Sequence, residues 1–448
     1  MISQLLNFQQ KSISSAALIL GASALLSRLL GIVRDRLLAG TFGAGKDLDA
    51  YLAAFRIPDF LYAFLVIWGL SAVFLPLFSE YMAQDKAKAW KFVNAMMAVY
   101  AIALGVGGTV AFFFMPQLVS FIAPGFEGEQ LQTAVLLSRI MLLSPLFFAF
   151  SAIASGVLQY FQRFVAYALA PILYNLGIII GILFLAPHFG IVGVALGVVV
   201  GAVAHVLIQL PSFLATGFTF RPVFELLEPQ VKKAFLLSIP RTIAGVAHQI
   251  NLVVMVAFAS LLPVGSITIF SLAEHMYYFP VGVIGVPLAT AAFPLMSKAA
   301  AKLDIVSLTA TLRSALWNVS VIALPAAAVL FVVREPLFRL LYLSGEFGET
   351  EVKLVASVFG VFALGIVFQA VIPLLVRAFF ALQNTWVPTI VGVGSVVLNI
   401  ALAYTLINLG WGVIALPAAL VFSGAAQSLL LALLLFTAIR SQRYARNR

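Results

Sequence analysis

The sequence contains no cysteine, which excludes disulfide frameworks, thiol nucleophiles and zinc–thiolate sites. Histidine is scarce: His188, His205, His248 and His275 lie far apart, which argues against a histidine metal site. Charge is scarce too. Only 9% of the 448 residues are charged, against about 25% in soluble domains. Apolar residues make up 63%, and the mean hydropathy is +1.11. A soluble surface at this length cannot be built from 26 basic and 16 acidic side chains, so the chain reads as a polytopic membrane protein. A soluble enzyme and a disordered chain are excluded on the same ground. The net charge of +10 does not point to nucleic acid, because most of the positive charge sits in short loops between apolar runs, where it orients helices in a bilayer.

A membrane-spanning helix needs about 20 mostly apolar residues. Twelve such runs stand out, near 13–33, 50–78, 92–116, 131–157, 164–186, 190–215, 234–262, 266–293, 310–333, 352–380, 386–409 and 411–439. Their continuous apolar character suits helices rather than the alternating strands of an outer-membrane barrel. No cleavable signal peptide is expected, since Arg28, Arg34, Asp35 and Arg36 stand where small residues would mark a cleavage site. Sixteen Lys and Arg fall in one set of alternate loops and tails, and six in the other. That asymmetry predicts both termini in the cytoplasm.

The halves resemble each other. Pro76-Leu77-Phe78-Ser79 ends the second run and Pro294-Leu295-Met296-Ser297 ends the eighth, 218 residues later. Gln162 after the fourth run matches Gln383 after the tenth, at an offset of 221. Six runs is an even number, so each half enters from the same side and the repeat is parallel. The expected architecture is all-α: about twelve transmembrane helices in two pseudo-symmetric six-helix lobes, 1–218 and 219–448, around a central cavity.

Charge inside a spanning helix costs about 2.5–3.5 kcal/mol on insertion scales, so its positions are informative. In the first run, Ser27, Arg28, Gly31, Arg34 and Asp35 fall within an arc of about 120°. The rest of that helix is Ala, Leu, Ile and Gly. The second run carries Asp49, Arg56 and Asp59; Arg56 and Asp59 are spaced to pair, and Pro58 between them should bend the helix. In the second half, the seventh run holds Arg241, His248, Gln249 and Asn251, and the eighth holds Glu274 and His275. The 218-residue offset maps Arg56 onto Glu274. Structural ion pairing is the competing reading for Arg56 with Asp59, and a solvated outer loop for residues 34–49. Arg28 has no acidic neighbour within one turn and calls for an anionic partner or a water-filled cavity. Arginine forks bind phosphate or carboxylate in bidentate fashion, so the cargo they suggest is anionic, most simply a phosphate or pyrophosphate.

Other features are read as structural. The 39 Phe, 12 Tyr and 5 Trp suit lipid-facing surfaces and interface belts. Glycines such as Gly105, Gly107 and Gly108 are expected to let helices pack closely. Arg440, Arg443, Arg446 and Arg448 form a basic cytoplasmic flank that could also meet anionic lipid. No nucleophile–base–orienter set appears, so no enzyme and no cofactor are expected.

Ser27-Arg28-Leu29-Leu30-Gly31-Ile32-Val33-Arg34-Asp35 resembles the first-helix signature of the MurJ (MviN) lipid II flippases. The continuation does too, through Phe42-Gly43-Ala44-Gly45, Asp49-Ala50-Tyr51, Ala54-Phe55-Arg56-Ile57-Pro58 and Phe74-Leu75-Pro76. Ala123-Pro124-Gly125-Phe126 and the stretch from Phe279-Pro280 to Ser297-Lys298 agree as well. The resemblance covers essentially the whole chain. It implies the two-lobed fold of the multidrug/oligosaccharidyl-lipid/polysaccharide exporter superfamily, in the bacterial cytoplasmic membrane. It also implies alternating access that carries lipid-linked peptidoglycan precursor from the inner to the outer leaflet. The polyprenyl-pyrophosphate-linked glycan would enter a cationic cavity, with Ser27, Arg28, Arg34, Asp35, Asp49 and Arg56 on one side and Glu274 and His275 on the other. Three departures stand out. Tyr62 replaces an arginine of the family pattern, Glu274-His275 replaces Asp-Arg, and twelve helices appear where many members have fourteen. A flippase for another polyprenyl-linked glycan and a small-molecule exporter are the alternatives.

Overall fold

The computed structural model describes residues 13–64, 74–221 and 229–446, with side chains for 18–64, 74–221 and 245–441. Helices follow the apolar runs: α1 (Ile13–Phe42), α2 (Lys46–Ala54), α3 (Arg56–Tyr62), α4 (Phe74–Gln84), α5 (Lys86–Phe113), α6 (Met115–Ile122), α7 (Gly128–Met141), α8 (Ser144–Tyr160), α9 (Phe164–Ile180), α10 (Ala186–Phe189), α11 (Ile191–Leu207) and α12 (Leu210–Leu214). They continue as α13 (Pro229–Ser260), α14 (Ser266–Pro280), α15 (Val286–Ala301), α16 (Ile305–Val332), α17 (Arg334–Tyr342), α18 (Glu349–Ala381), α19 (Trp386–Asn408) and α20 (Ala415–Arg446). Among the described residues, each of the twelve predicted runs falls mainly on helix. Among the described residues, nine helical stretches are long and apolar enough to cross a bilayer. Lys11, Arg448 and residues 65–73 of the second run lie outside the described residues.

The chain divides into two units, 1–249 with 344–346, and 250–343 with 347–448. The division falls inside α13 rather than at a loop. In the first unit, Phe78, Phe92, Met96, Tyr100, Ile153 and Phe213 are centred in one apolar cluster. The second predicted run is interrupted at Phe55, between α2 and α3. Pro58 explains the break: it has no N–H to give the Ala54 carbonyl, and Ser138 Oγ donates to that carbonyl instead, at 3.3 Å.

Close approach within the first unit is made by glycines of α9 and α11. A Cβ on Gly177 would lie 2.3 Å from the Gly201 Cα, and one on Gly197 would lie 2.6 Å from the Gly181 Cα. Small residues four apart on facing helices bring backbones together in a membrane, where apolar burial drives nothing. The glycines expected to do this are elsewhere and open: nothing lies within 4 Å of a Cβ on Gly105 or Gly108, and Gly107 meets only Leu61 at 3.8 Å. Gly181 also opens a π-helical segment, Gly181–Leu185. A second π-helical segment, Val281–Gly285, lies in the second unit just after Pro280.

The second unit is built on α18, whose Leu374, Leu375 and Phe379 join Met296, Leu308 and Leu431 in one cluster. Its order of elements repeats that of the first. Asp85 caps α5 by accepting from Ala87 N–H at 2.9 Å, and Asp304 caps α16 by accepting from Ser307 N–H at 3.0 Å. Both capped helices are 28 residues long. Each is followed by one short helix, α6 of 8 residues or α17 of 9. A 33-residue helical stretch comes next in both units, Gly128–Tyr160 and Glu349–Ala381.

Those long stretches end alike. Gln162 and Gln383 have φ of 56° and 58°. Arg163 N–H reaches the Leu158 carbonyl and Gln162 N–H the Gln159 carbonyl; Asn384 reaches Phe379 and Gln383 reaches Phe380. This is one C-terminal capping motif, which also ends α15 at Leu303 and α19 at Gly410.

Candidate functional site

The charged face of α1 is organised by a residue of α9. Arg34 Nη1 donates to Asn175 Oδ1 at 3.1 Å, while its Nε and Nη2 donate to Asp35 Oδ1 at 3.0 and 2.8 Å. Asn175 Nδ2 lies 3.2 Å from the Ser27 carbonyl, the Ser27 Oγ and the Pro171 carbonyl. One amide therefore ties Ser27 and Arg34, two turns apart on α1, to the neighbouring helix. Asp35 is 6% exposed and the Asp35–Arg34 pair is close to charge-neutral. Arg28 is exposed one position after Ser27, and Asp49 on α2 is buried. Sequence reasoning missed Asn175, although a lone polar residue in Ile172-Leu173-Tyr174-Asn175-Leu176 is itself a signal inside a membrane.

The α3 charges do not pair as expected. Among the described residues no ion pair joins Arg56 to Asp59, and the buried Arg56 Nε has no hydrogen-bond partner. Asp59 is exposed and lines a pocket whose wall includes Tyr62 and Phe148, ring centroids 5.4 Å apart. Deeper in the same unit, Ser151 Oγ sits 2.6 Å from His205 Nδ1 and accepts from Gln209 Nε2, whose Oε1 accepts from Ser155 Oγ at 2.8 Å. That network satisfies its own members between α8, α11 and the turn after α11.

In the second unit, Glu274 and His275 part company, as adjacent residues on a helix must. Glu274 is 4% exposed and His275 is exposed. Glu274 Oε1 and Ser271 Oγ, one turn apart on α14, are both buried without a hydrogen-bond partner. Of the eight residues singled out from sequence, Ser27, Arg34 and Asp35 form one bonded set with Asn175. Arg56 sits elsewhere in the same unit, and Glu274 and His275 belong to the other unit.

The profile of the family described as lipid II flippase MurJ matches residues 38–445. The chain belongs to the MurJ family. A Burkholderia cenocepacia lipid II flippase MurJ is 32% identical over 393 residues, covering 86% of this chain and 76% of the relative. A Vibrio cholerae probable lipid II flippase MurJ is 27% identical over 404 residues, covering 88% and 77%. Among solved structures, a lipid II flippase MurJ in an inward closed conformation aligns with a TM-score of 0.80 and 24% identity over 92% of this chain and 86% of that one. An inward-facing multidrug resistance MATE family transporter of the MOP superfamily aligns with a TM-score of 0.78 and 15% identity, covering 96% and 99%. At these identities the structural likenesses establish the all-helical transporter fold. The MurJ family comprises lipid II flippases, which are transporters and not enzymes, and this member is a multi-pass inner-membrane protein.

Proposed function

We propose that this MurJ-family chain moves lipid II from the inner to the outer leaflet by alternating access. Arg28 and Arg34 on α1 receive the pyrophosphate. The observation that carries this reading is the polar set of Ser27, Arg34 and Asp35, fixed to α9 by Asn175 on a helix whose other charges are Arg28 and Arg36. A guanidinium held by its neighbours meets an anion without first losing rotamer freedom. Asp35 occupies Nε and Nη2 while Nη1 goes to Asn175, so the fork is oriented before cargo arrives. Both termini lie in the cytoplasm on the charge asymmetry of the loops. Asp49, Arg56, Glu274 and His275 extend the polar lining.

A flippase for another polyprenyl-linked glycan is the second reading, favoured by Tyr62 and His275 in place of two fixed cations. Both readings are tested by rescue of a bacterium depleted of its own lipid II flippase, with wild type, Arg28→Ala and Arg34→Ala at matched levels. Rescue by wild type alone is the expected result. Rescue by all three removes the arginine site and keeps the cargo. Failure of well-expressed wild type transfers the reading to another lipid-linked glycan.

A further inference from the structure

The pocket beside α3 is open at its mouth and combines aromatic rings with a few polar groups. Asp59 and Tyr62 line it from α3, Ser144 and Phe148 from α8, and Tyr174 from α9. Asp59 is exposed, while Tyr62 and Tyr174 are half-buried. A carboxylate in a membrane-spanning run faces water rather than lipid, so the mouth is wet. Ser144 lies deeper. It is 3% exposed, and its Oγ is buried without a hydrogen-bond partner. Buried polar atoms are paired almost without exception, so this hydroxyl marks a place for a polar group of something that enters.

The rings form one wall. Phe148 packs against Tyr62 at 5.4 Å between centroids and against Tyr174 at 5.0 Å. His205, engaged with Ser151, backs Phe148 edge-on at 5.3 Å. No basic side chain lines the pocket, which disfavours an anion, and the rest of the lining is apolar. Mostly apolar walls with a few placed polar groups suit a small neutral molecule. A sugar ring has that double character. Its C–H faces lie against aromatic rings, and its hydroxyls donate to a carboxylate and exchange hydrogen bonds with serine and tyrosine hydroxyls. Tyr174 also ties the pocket to the Arg34 set. It precedes Asn175, and adjacent helix positions point about 100° apart, so α9 turns Asn175 to α1 and Tyr174 to the pocket. Arg34 and Asp59 both act on the Tyr174 hydroxyl.

We propose that this pocket holds the sugar ring joined directly to the pyrophosphate of the cargo, an inference that rests on the reading that places the pyrophosphate at Arg28 and Arg34. The ring lies against the aromatic wall of Tyr62, Phe148 and Tyr174, and its polar groups meet Asp59 at the mouth and Ser144 at the base. The subsite recognises the sugar rather than the lipid tail or any peptide. It therefore serves lipid II and another polyprenyl-linked glycan alike.

The test is binding, not transport. Native mass spectrometry of the purified full chain compares undecaprenyl pyrophosphate with the same lipid carrying a single N-acetylglucosamine. Neither probe has a peptide, so a difference between them belongs to the sugar. Wild type should bind the sugar-bearing lipid about tenfold more tightly, as one hydrogen bond and one stacked ring together supply. Tyr62→Leu and Ser144→Ala should each lose most of that preference and bind the bare lipid as wild type does. Tyr62→Phe keeps the ring and should keep most of the preference. Arg34→Ala should weaken both lipids equally. Equal binding of the two lipids by wild type overturns the subsite and leaves the arginine site standing. So does a preference kept in both Tyr62→Leu and Ser144→Ala. Undiminished binding of the bare lipid by Arg34→Ala overturns the pyrophosphate reading instead, and binding of neither lipid by wild type overturns both. If Tyr62→Leu fails to accumulate, Ser144→Ala and Asp59→Asn carry the test, and an unchanged preference in both overturns the subsite.

Discussion

At the scale of single residues, Asn175 has consequences out of proportion to its size. Its side chain accepts from Arg34 and donates to Ser27, joining α9 to positions two turns apart on α1. A hydrogen bond to a charged group contributes about 1.5–3 kcal/mol, and an orphaned buried partner costs as much again. Asn175→Ala should therefore lower the melting temperature of the purified protein and weaken rescue while leaving Arg34 in the chain. Unchanged melting and full rescue would show that Arg34 needs no second helix to hold it. The α1 charges were legible in the sequence because cost in a membrane makes every charge conspicuous. Their partner was not, because it lies 141 residues from Arg34 and nothing local announces the contact. The Arg56–Asp59 pair failed for a related reason. Spacing of three permits a contact, but Pro58 breaks the helix upstream and Asp59 is left exposed at a mostly apolar pocket instead.

At the scale of elements, packing between helices turns on where a backbone has no room. The α9–α11 contact leaves no space for a Cβ at Gly177, Gly197 or Gly201, whereas Gly105 on α5 faces open space. Gly197→Ala should destabilise by about 1–3 kcal/mol, the usual range for overpacking. Gly105→Ala should be neutral or stabilising by up to about 1 kcal/mol, since alanine is the better helix former. Thermal unfolding of the two variants in one detergent checks both. Equal effects would mean that the α9–α11 approach is not tight. Composition marks both glycine sets alike, so the sequence could not say which one packs. Helix positions were far easier to read, because length and hydropathy alone set a membrane span. The breaks at Phe55 and at Leu142–Leu143 interrupt two of the runs and left no mark on hydropathy.

For the whole molecule, the parallel repeat and the placement of charge make one joint claim. Two six-helix halves entering from the same side put the loops after the third run of each half on one face, and the loops after the second and fourth on the other. Glu129 at the start of α7 belongs to the first set and Lys302 after α15 to the second, and both are exposed. The charge asymmetry assigns the first set to the outside. A chain with no cysteine permits a direct check, since each added thiol is then the sole target of a labelling reagent. In intact cells, with the outer membrane made permeable, a membrane-impermeant maleimide should label Glu129→Cys and leave Lys302→Cys unlabelled until the inner membrane is opened. The reverse pattern would invert the protein. Labelling of both in intact cells would break the even-numbered topology, and with it the parallel repeat that Asp85 with Asp304 and Gln162 with Gln383 express in local structure. The same assay bears on the cargo, because a site that accepts a pyrophosphate from the inner leaflet must be reachable from the face bearing Lys302.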